Sequence, residues 1–339
     1  MNPKPRQTIA VILAAGKGVR MRSDLPKVLH LLLGKSLVSY VVEACRKAEV
    51  DRTILVIGHR ADLVRQTLGT AVEYVEQKKQ LGTGHALMMA AEILKGVEGD
   101  LLTLVGDTPF LTGSILRKLV HHHNRTGAAA TVMTTIIDPP PAYGRIIRDA
   151  EGKILRIVEE RDATPEEKRI AEVNSSHYCF RAEKVLPLLH RIKTDNDQGE
   201  YYLTDAVQLL VEEGERVETL TEKDPSILIG INSRLELTNA SKHLQQRILE
   251  HLMDHGTTIL DASSVYIEPD VKIGKDTVIH PYCSIIGKTK IGARCVIGPQ
   301  VKLNEAVIGD DCTVEFSVIE RRRIENGATV GPFAYISGE

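Results

Sequence analysis

The sequence has few cysteines, little net charge and no long apolar run, and each shortage excludes a class of protein. Five cysteines, an odd number scattered along 339 residues, do not form the pattern of a disulfide framework. A formal net charge of −2 argues against a nucleic-acid-binding protein, whose contact face is usually strongly basic. No apolar run approaches the roughly 18 residues of a membrane span, and residues 1–8 lack a signal-peptide pattern. We therefore expect no nucleic-acid partner, no membrane association and a reduced, cytoplasmic location.

The length predicts more than one domain, and the residue pattern changes along the chain. In the first part, short β-rich runs alternate with longer amphipathic segments. Strands are predicted at residues 9–14, 53–58, 100–105 and 129–137, and helices at 37–48, 62–68, 81–94 and 114–125. This alternation is typical of βαβ units around a mostly parallel sheet, in which ligands bind beyond the carboxyl ends of the strands.

The second part begins with one long helix and continues as a short repeat. Residues 233–255 lack glycine and proline and are predicted to form a connecting helix that ends at Gly256. Aliphatic residues then recur at a spacing of six, at Ile267, Ile273, Ile279, Ile285, Ile291, Ile297 and Leu303. Such a repeat is typical of a left-handed parallel β-helix. Small or β-branched residues, among them Cys283, Cys295 and Val307, lie four positions after the anchors, and the two cysteines are predicted to face inward. The period slips near Val307–Ile308, and the basic triplet at 321–323 is predicted to form a projecting loop.

A glycine-containing turn with basic neighbours directly follows the first predicted strand. Its sequence from Leu13 is Leu-Ala-Ala-Gly-Lys-Gly-Val-Arg. Glycines let backbone N–H groups approach a phosphate closely, and Arg20 and Lys27 suit the charge of a triphosphate. The segment is not a Walker P-loop, and Met21 replaces the third glycine of the dinucleotide fingerprint. A tight turn with solvated basic residues is the alternative interpretation.

Two oxygen-bearing side chains are candidates for holding a metal ion. Asp107 follows the buried strand predicted at 100–105, where a carboxylate is well placed for Mg²⁺, a hard ion that prefers oxygen ligands. The alternative is a turn or helix cap before Pro109. Asn232 precedes the connecting helix and, on the residues alone, is an ordinary helix N-cap.

The run LAAGKGVRMRSDLPKVLH resembles the nucleotide-binding signature of the sugar-phosphate nucleotidylyltransferases. Within them the chain is most similar to the bifunctional N-acetylglucosamine-1-phosphate uridylyltransferase/glucosamine-1-phosphate acetyltransferase family, because matching segments continue in order as far as Asn232 and a hexapeptide repeat follows. The resemblance implies an α/β, Rossmann-like nucleotidyltransferase domain with a mostly parallel sheet at 1–232. A connecting helix at 233–257 and a short left-handed parallel β-helix at 258–339 would follow.

The resemblance also implies residue roles. The catalytic residues would be Arg20, Lys27 and Asp107, and the metal ligands would be Asp107 and Asn232. Nucleotide contacts fall to Leu13, Ala14, Ala15, Gly16, Gln77, Gln80, Gly82 and Gly106. Sugar contacts fall to Thr83, Gly144, Glu159, Asn174, Tyr202 and Thr204. Without the resemblance, Gln77 and Gln80 could be parts of a polar loop, and Glu159 could be one charge in a surface run.

The implied reaction joins UTP and N-acetylglucosamine 1-phosphate to give UDP-N-acetylglucosamine, a peptidoglycan precursor, and pyrophosphate. It would be a Mg²⁺-dependent in-line displacement, in a homotrimer assembled through the β-helix. The family's acetyltransferase half has no counterpart in these residues, so we expect no acetyltransferase activity.

Two departures from the family pattern leave the sugar open. Val105 stands where the family commonly has tyrosine, and Asn174-Ser175-Ser176 stands where it has Asn-Thr-Gly. The alternatives are transfer to another sugar 1-phosphate, such as glucose or galactosamine 1-phosphate, or the use of dTTP. Alternatives from another class of protein are a β-helix acyltransferase and a trimerising scaffold. Either of them would leave the N-terminal motifs unexplained.

Overall fold

The computed structural model describes residues 6–338, which fold into two units. One unit comprises residues 6–30 and 36–232, and the other comprises residues 31–35 and 233–338. Of residues 1–8, which lack a signal-peptide pattern, residues 1–5 lie outside the described range. Over residues 6–338, no helix combines the length and the apolar character that crossing a bilayer requires.

Residues 6–232 form eleven strands, six α-helices and six short 3₁₀ turns. The strands are β1 Gln7–Leu13, β2 Leu31–Leu32, β3 Lys35–Ser36, β4 Arg52–Ile57, β5 Glu73–Glu76, β6 Gly99–Val105, β7 Ala130–Ile136, β8 Arg145–Arg148, β9 Ile154–Val158, β10 Glu172–Arg181 and β11 Val217–Glu222. The helices are α1 Leu37–Lys47, α2 Ala61–Leu68, α3 Thr83–Ala91, α4 Gly113–Thr126, α5 Ala182–Val185 and α6 Asp205–Glu212. The 3₁₀ turns are Val19–Met21, Lys27–Leu29, Glu92–Leu94, Glu167–Arg169, Leu186–Arg191 and Pro225–Ile227.

The first unit is built around a mostly parallel sheet of nine strands, as predicted. The main strand order is β11-β7-β10-β6-β1-β4-β5, and the β8–β9 hairpin joins at β10. β1 runs parallel to β4 and β6, whereas β10 is antiparallel to both β6 and β7. Ile9 and Val11 pack into one apolar cluster and Ala10 and Ile12 into a second, so β1 is buried on both faces.

The ends of three neighbouring strands meet at one edge of this sheet. Leu13 is in register with Val56 on β4 and with Val105 on β6. The backbone N–H of Gly106 donates to the carbonyl of Leu13 at 3.0 Å. The turn after β1 and the residues after β6 therefore emerge together, where parallel sheets bind ligands.

The predicted helices are present, with small differences at their ends. The helix predicted at 81–94 begins at Thr83, because Gly82 has a φ of 106°, which lies outside the helical region. Its last turn, Glu92–Leu94, is 3₁₀. The connecting helix predicted at 233–255 spans α7 Arg234–Asp254, and the Ser233 hydroxyl caps it by accepting from the backbone N–H of Glu236 at 3.2 Å.

After α7 the chain forms short strands stacked in parallel coils. They are β12 Thr258–Ile259, β13 Tyr266–Ile267, β14 Lys272–Ile273, β15 Val278–Ile279, β16 Ser284–Ile286, β17 Lys290–Ile291, β18 Val296–Ile297, β19 Lys302–Asn304, β20 Val307–Ile308, β21 Thr313–Val314, β22 Val318–Glu320, β23 Arg323–Ile324, β24 Thr329–Val330 and β25 Tyr335–Ser337. Three parallel sheets, β12-β15-β18-β21-β24, β13-β16-β19-β22-β25 and β14-β17-β20-β23, form the sides of a left-handed parallel β-helix.

The six-residue period places the predicted anchors inside this β-helix. Ile267, Ile285 and Leu303 follow one another up one sheet and are fully buried. Cys283 and Cys295 also face inward, as the repeat predicted. Each coil buries its aliphatic side chains by stacking on its neighbours, which is the usual source of stability in such solenoids.

The six-residue period slips near Val307–Ile308, as predicted, since Ala306 is fully buried in the inward slot and Val307 begins β20. One prediction about the later coils is wrong. The basic triplet does not form a projecting loop. Arg321 is a corner residue with a φ of 49°, and Arg323 pairs with Val307 in β23. The coil is shortened rather than extended, since Arg323 follows its partner Val307 by only sixteen residues.

The short hairpin formed by β2 and β3 belongs largely to the second unit, although the predicted boundary at 232 places it in the first domain. Leu32 is fully buried, and β2 packs against α7. The Lys35 ammonium forms an ion pair with Asp270 at 3.1 Å. These tertiary contacts assign the hairpin to the second unit, although the segment lies before residue 232 in the sequence.

Candidate active site

The glycine-containing turn after β1 forms one wall of a cavity of about 590 Å³. Gly18 has a φ of 62°, and a Cβ at that position would lie 2.5 Å from the Cβ of Lys27. Only glycine therefore allows the turn and the Lys27 segment to approach so closely. Met21, which is buried, anchors the following 3₁₀ turn.

Lys27, Asp107 and Asn232, which are far apart in sequence, meet at this cavity. The Lys27 ammonium forms an ion pair with Asp107 and donates to Oδ1 of Asn232 at 3.0 Å. The side-chain amide of Asn232 donates to the carbonyl of Gly230 at 3.2 Å, and the backbone N–H of Ile231 donates to the carbonyl of Asp107 at 2.9 Å. The backbone itself thus holds the segment before Asn232 against Asp107.

This cluster fits a divalent cation. Asp107 Oδ2 and Asn232 Oδ1 both contact one ammonium, so they are close enough together to bind a single positive centre. Carboxylate and amide oxygens are hard ligands that suit Mg²⁺, which usually takes one or two carboxylates and completes its shell with water and phosphate oxygens.

The cavity brings together most of the predicted nucleotide-binding residues. Its lining includes Leu13, Ala14, Ala15, Gly16, Lys27, Gln77, Gln80, Gly82, Thr83 and Asp107. It also includes Lys17, Val105 and Glu200, for which the sequence assigned no contact. Gly106 contributes through its backbone bond to Leu13. Arg20 is exposed on the 3₁₀ turn and is not part of the lining.

Gln77 and Gln80 brace the loop that approaches the cavity. The Gln77 amide donates to the carbonyl of Gly82 at 3.0 Å and lies 2.9 Å from Nδ1 of His85. The Gln80 amide donates to the carbonyl of Gln77 at 2.9 Å. This network fixes the backbone at Gly82, whose missing side chain leaves room for the carbonyl of Tyr201.

The predicted sugar-binding residues gather around the carboxylate of Glu159. The Thr204 hydroxyl donates to Glu159 at 3.2 Å. Nearby, the backbone N–H of Asn174 donates to the carbonyl of Gly144 at 2.8 Å. Tyr202 and Glu159 line a second cavity of about 390 Å³.

The loops before α3 and α6 connect this group to the nucleotide cavity. The hydroxyl of Thr83 accepts from the backbone N–H of Leu203 at 3.0 Å. The backbone N–H of Tyr201 donates to the carbonyl of Leu81 at 2.8 Å. Thr83, which follows Gly82, is therefore bonded directly to the segment that bears Tyr202 and Thr204.

Burial raises the pKa of Glu159 above its usual range, although the hydrogen bond from Thr204 acts in the opposite direction. The ionised carboxylate accepts hydrogen bonds at both oxygens and more strongly than the protonated group, which uses one oxygen as a donor. We therefore expect the KM for the sugar phosphate to fall as the pH rises through this raised pKa. Ionisation also disfavours the folded state here, because the folded protein holds the proton to a higher pH than the unfolded chain does.

Replacement of Glu159 by glutamine should raise the KM for the sugar phosphate roughly 10- to 100-fold, as expected for the loss of a hydrogen bond to a charged group. It should also remove the part of the pH dependence that the carboxylate causes. Steady-state kinetics of the wild-type protein and the variant between mildly acidic and neutral pH test this. Ionisation of the substrate phosphate affects both proteins alike, so it does not cause a difference between their profiles. Parallel KM–pH profiles for the two proteins would contradict the assignment.

One residue beside this group was not predicted. His177 is fully buried, lies 3.0 Å from the Thr108 hydroxyl through Nε2 and contacts the Ser175 carbonyl at 2.6 Å through Nδ1. Burial lowers the pKa of His177 to about 4, so the ring is neutral at pH 7. It connects the residue after Asp107 to the bulge in β10, and a lone histidine within a strand gives no sequence signal of such a role.

Ser176 lies in that bulge with a φ of 60°, a left-handed conformation that disfavours any residue with a Cβ. Its backbone N–H donates to Oδ1 of Asn174 at 3.0 Å, and the Asn174 amide donates to the Tyr178 hydroxyl at 2.7 Å. The serine thus keeps the backbone conformation that glycine would adopt without strain.

Comparison with known proteins agrees with this arrangement. A nucleotidyl transferase family model matches residues 9–226, and a bacterial transferase hexapeptide model with six repeats matches residues 270–305. The bifunctional protein GlmU of Caldanaerobacter subterraneus is 46% identical over 333 residues, which are 98% of this chain and 72% of that protein. The GlmU proteins of Brevibacillus brevis and Clostridioides difficile are 44% and 42% identical over 327 residues each, covering 96% of this chain and 71% of each relative.

Both the matched family models and this level of identity over nearly the whole chain identify the fold and the chemistry. The nucleotidyl transferase match covers the unit that contains the cavity, and enzymes of this family use a divalent cation. The chain belongs to the GlmU family and is a nucleotidyltransferase of the UDP-N-acetylglucosamine diphosphorylase type.

Proposed function

We propose that the cavity lined by the turn after β1 binds UTP, and that the group around Glu159 binds N-acetylglucosamine 1-phosphate. The reaction is the uridylyl transfer of this family, which forms UDP-N-acetylglucosamine and pyrophosphate. The meeting of Lys27, Asp107 and Asn232 is the main support, because two oxygens suited to a cation and a lysine lie beside a glycine turn suited to phosphates.

In the proposed reaction, a phosphate oxygen of the sugar phosphate forms a bond to the α-phosphorus of UTP. The bond from that phosphorus to the bridging oxygen breaks, and pyrophosphate leaves with the electron pair. The nucleophile is already an anion, so no general base is required. Asp107 and Asn232 would hold Mg²⁺, which when bound supplies positive charge to the phosphate oxygens.

The chain's own residues position the reactants. Lys27, and Arg20 if its exposed side chain turns inward, would neutralise phosphate charge. Backbone N–H groups around Gly16 would hold the triphosphate, the loop at Gly82 would hold the base, and Glu159 would orient the sugar ring. The hexapeptide repeats support self-association, and we propose a homotrimer, which a sedimentation mass near that of one chain would contradict.

A substrate panel tests the choice of sugar and base. Pyrophosphate release should show the highest kcat/KM with UTP and N-acetylglucosamine 1-phosphate, compared with glucose 1-phosphate, galactosamine 1-phosphate and dTTP. Ser176→Gly should raise the Tm, since a left-handed residue with a Cβ costs about 1–2 kcal/mol. The same variant should keep the substrate preference, because Asn174 is held by the backbone N–H.

Higher kcat/KM with another sugar phosphate or with dTTP would overturn the proposed substrates. A changed preference in Ser176→Gly would instead show that the serine side chain contacts the sugar. The panel is to be run with and without Mg²⁺, because activity that is independent of a divalent cation would contradict the proposed role of Asp107 and Asn232.

A further inference from the structure

Two of the three residues in the Lys27–Asp107–Asn232 cluster lie where the chain passes into the second unit. Lys27 precedes the segment 31–35 by only a 3₁₀ turn, and Asn232 directly precedes the cap of α7. The backbone N–H of His30 donates to the carbonyl of Lys27 at 3.2 Å, and the N–H of Leu37 donates to the carbonyl of His30 at 3.1 Å. The base of the β2–β3 hairpin is thus bonded to the turn that bears Lys27.

The hairpin is held within the second unit by contacts of three kinds. Leu32 is fully buried where β2 packs against α7. The turn at Gly34 lies against the carboxylate of Glu268, which also accepts from the backbone N–H of Gly287 at 2.7 Å. Lys35 forms its ion pair with Asp270, whose side chain remains about half exposed. We call the segment 31–35 with these contacts the hairpin anchor.

The chain enters the second unit at two points, shortly after Lys27 and directly after Asn232. Because β2 follows the first point and α7 follows the second, the contact between β2 and α7 holds the two points together within the second unit. We propose that the hairpin anchor sets the spacing between Lys27 and Asn232, so that Lys35 and Asp270 are positioning residues for the cation and triphosphate site. This proposal rests on the proposed function of the cluster. Neither residue touches substrate in this scheme. Their effect is on the geometry of the residues that do, and misplacement of about 1 Å can cost up to 10²-fold in rate.

Charge reversal tests the anchor more sharply than removal, because a single exposed ion pair contributes little to stability. Lys35→Glu would place like charges beside Asp270 and near Glu268. We expect the Kd for Mn²⁺ alone, measured by electron paramagnetic resonance, and the KM for UTP each to rise about fivefold. The Tm should change by no more than about 2 °C. The double variant Lys35→Glu/Asp270→Lys should restore both constants, and Lys35→Arg should keep them.

A matched control is available in the same unit. Arg294 and Asp311 form a two-bond ion pair at 2.7 and 2.8 Å between neighbouring coils, and neither residue belongs to the hairpin anchor. Arg294→Glu should leave the Mn²⁺ affinity and the KM for UTP unchanged. The proposal is overturned if Lys35→Glu behaves like Arg294→Glu, or if the double variant fails to restore the two constants. Failure of the wild-type protein to bind Mn²⁺ or to use UTP would instead overturn the proposed function.

Discussion

Replacement of Asp107 by alanine is expected to lower kcat for uridylyl transfer about 10³-fold, the order of loss when a group that stabilises transition-state charge is removed. The carboxylate is a partner of the Lys27 ammonium and one of two oxygens placed for a divalent cation. Without it, the Lys27 ammonium loses its ion-pair partner, and a divalent cation would lose one of the two side-chain oxygens that would hold it. Lys27→Ala should also lower turnover severely, because it removes the lysine beside the glycine turn.

Pyrophosphate release at saturating substrates measures this effect, and thermal unfolding checks the fold. Asp62→Ala is a suitable control, since Asp62 is an exposed carboxylate in the first turn of α2 and does not line the cavity. The control should retain full turnover. Near-normal activity of Asp107→Ala with a native unfolding transition would contradict the role assigned to this residue.

Gly292→Ala is expected to destabilise the β-helix by roughly 2–3 kcal/mol, the upper part of the range typical of overpacking, because the groups it meets cannot yield. A Cβ at this position would lie 2.6 Å from the backbone C and O atoms of Gly309 in the next coil. The neighbouring coil cannot move away without breaking the bond from the Gly292 N–H to the Ile308 carbonyl, which measures 2.9 Å. The transition of the second unit should therefore shift down by about 10 °C or more.

Differential scanning calorimetry measures this shift, and Gly327→Ala provides a matched control. Gly327 lies in the same β-helix with a φ of 71°, but a Cβ there would meet no atom within 4 Å. The control should cost only about 1–2 kcal/mol, from the left-handed backbone alone. Equal shifts for the two variants would show that close coil stacking at Gly292 is not the reason for its glycine.

Much of the fold was predictable because its signals are local. A spacing of six between aliphatic residues is a property of neighbouring residues, and it correctly predicted that Ile285 and Cys295 face the interior. The glycines after Leu13 predicted a phosphate-type turn for the same reason. The family resemblance then supplied what spacing could not, namely the roles of residues such as Asn232, which on its own is indistinguishable from a helix cap.

The structural predictions failed where contacts between residues distant in sequence, rather than local spacing, determine the structure. The triplet at 321–323 interrupted the period, and insertion of a loop was expected. The β-helix instead absorbed the change as a shorter coil, because Arg323 still finds a backbone partner at Val307. Likewise, nothing near Leu32 in the sequence indicates that its burial against α7 assigns the hairpin to the second unit.

The sequence by itself determined the class of protein, the alternation of strands and helices in its first part, the solenoid period and the glycine turn. Each of these depends on backbone preferences and side-chain spacing within a few residues. The tertiary structure alone decided that Lys27 contacts Asp107 and Asn232, that Arg20 stays exposed, and that Ser176 adopts a left-handed conformation. These outcomes depend on strand order, bulges and burial, which bring together residues that no local spacing relates.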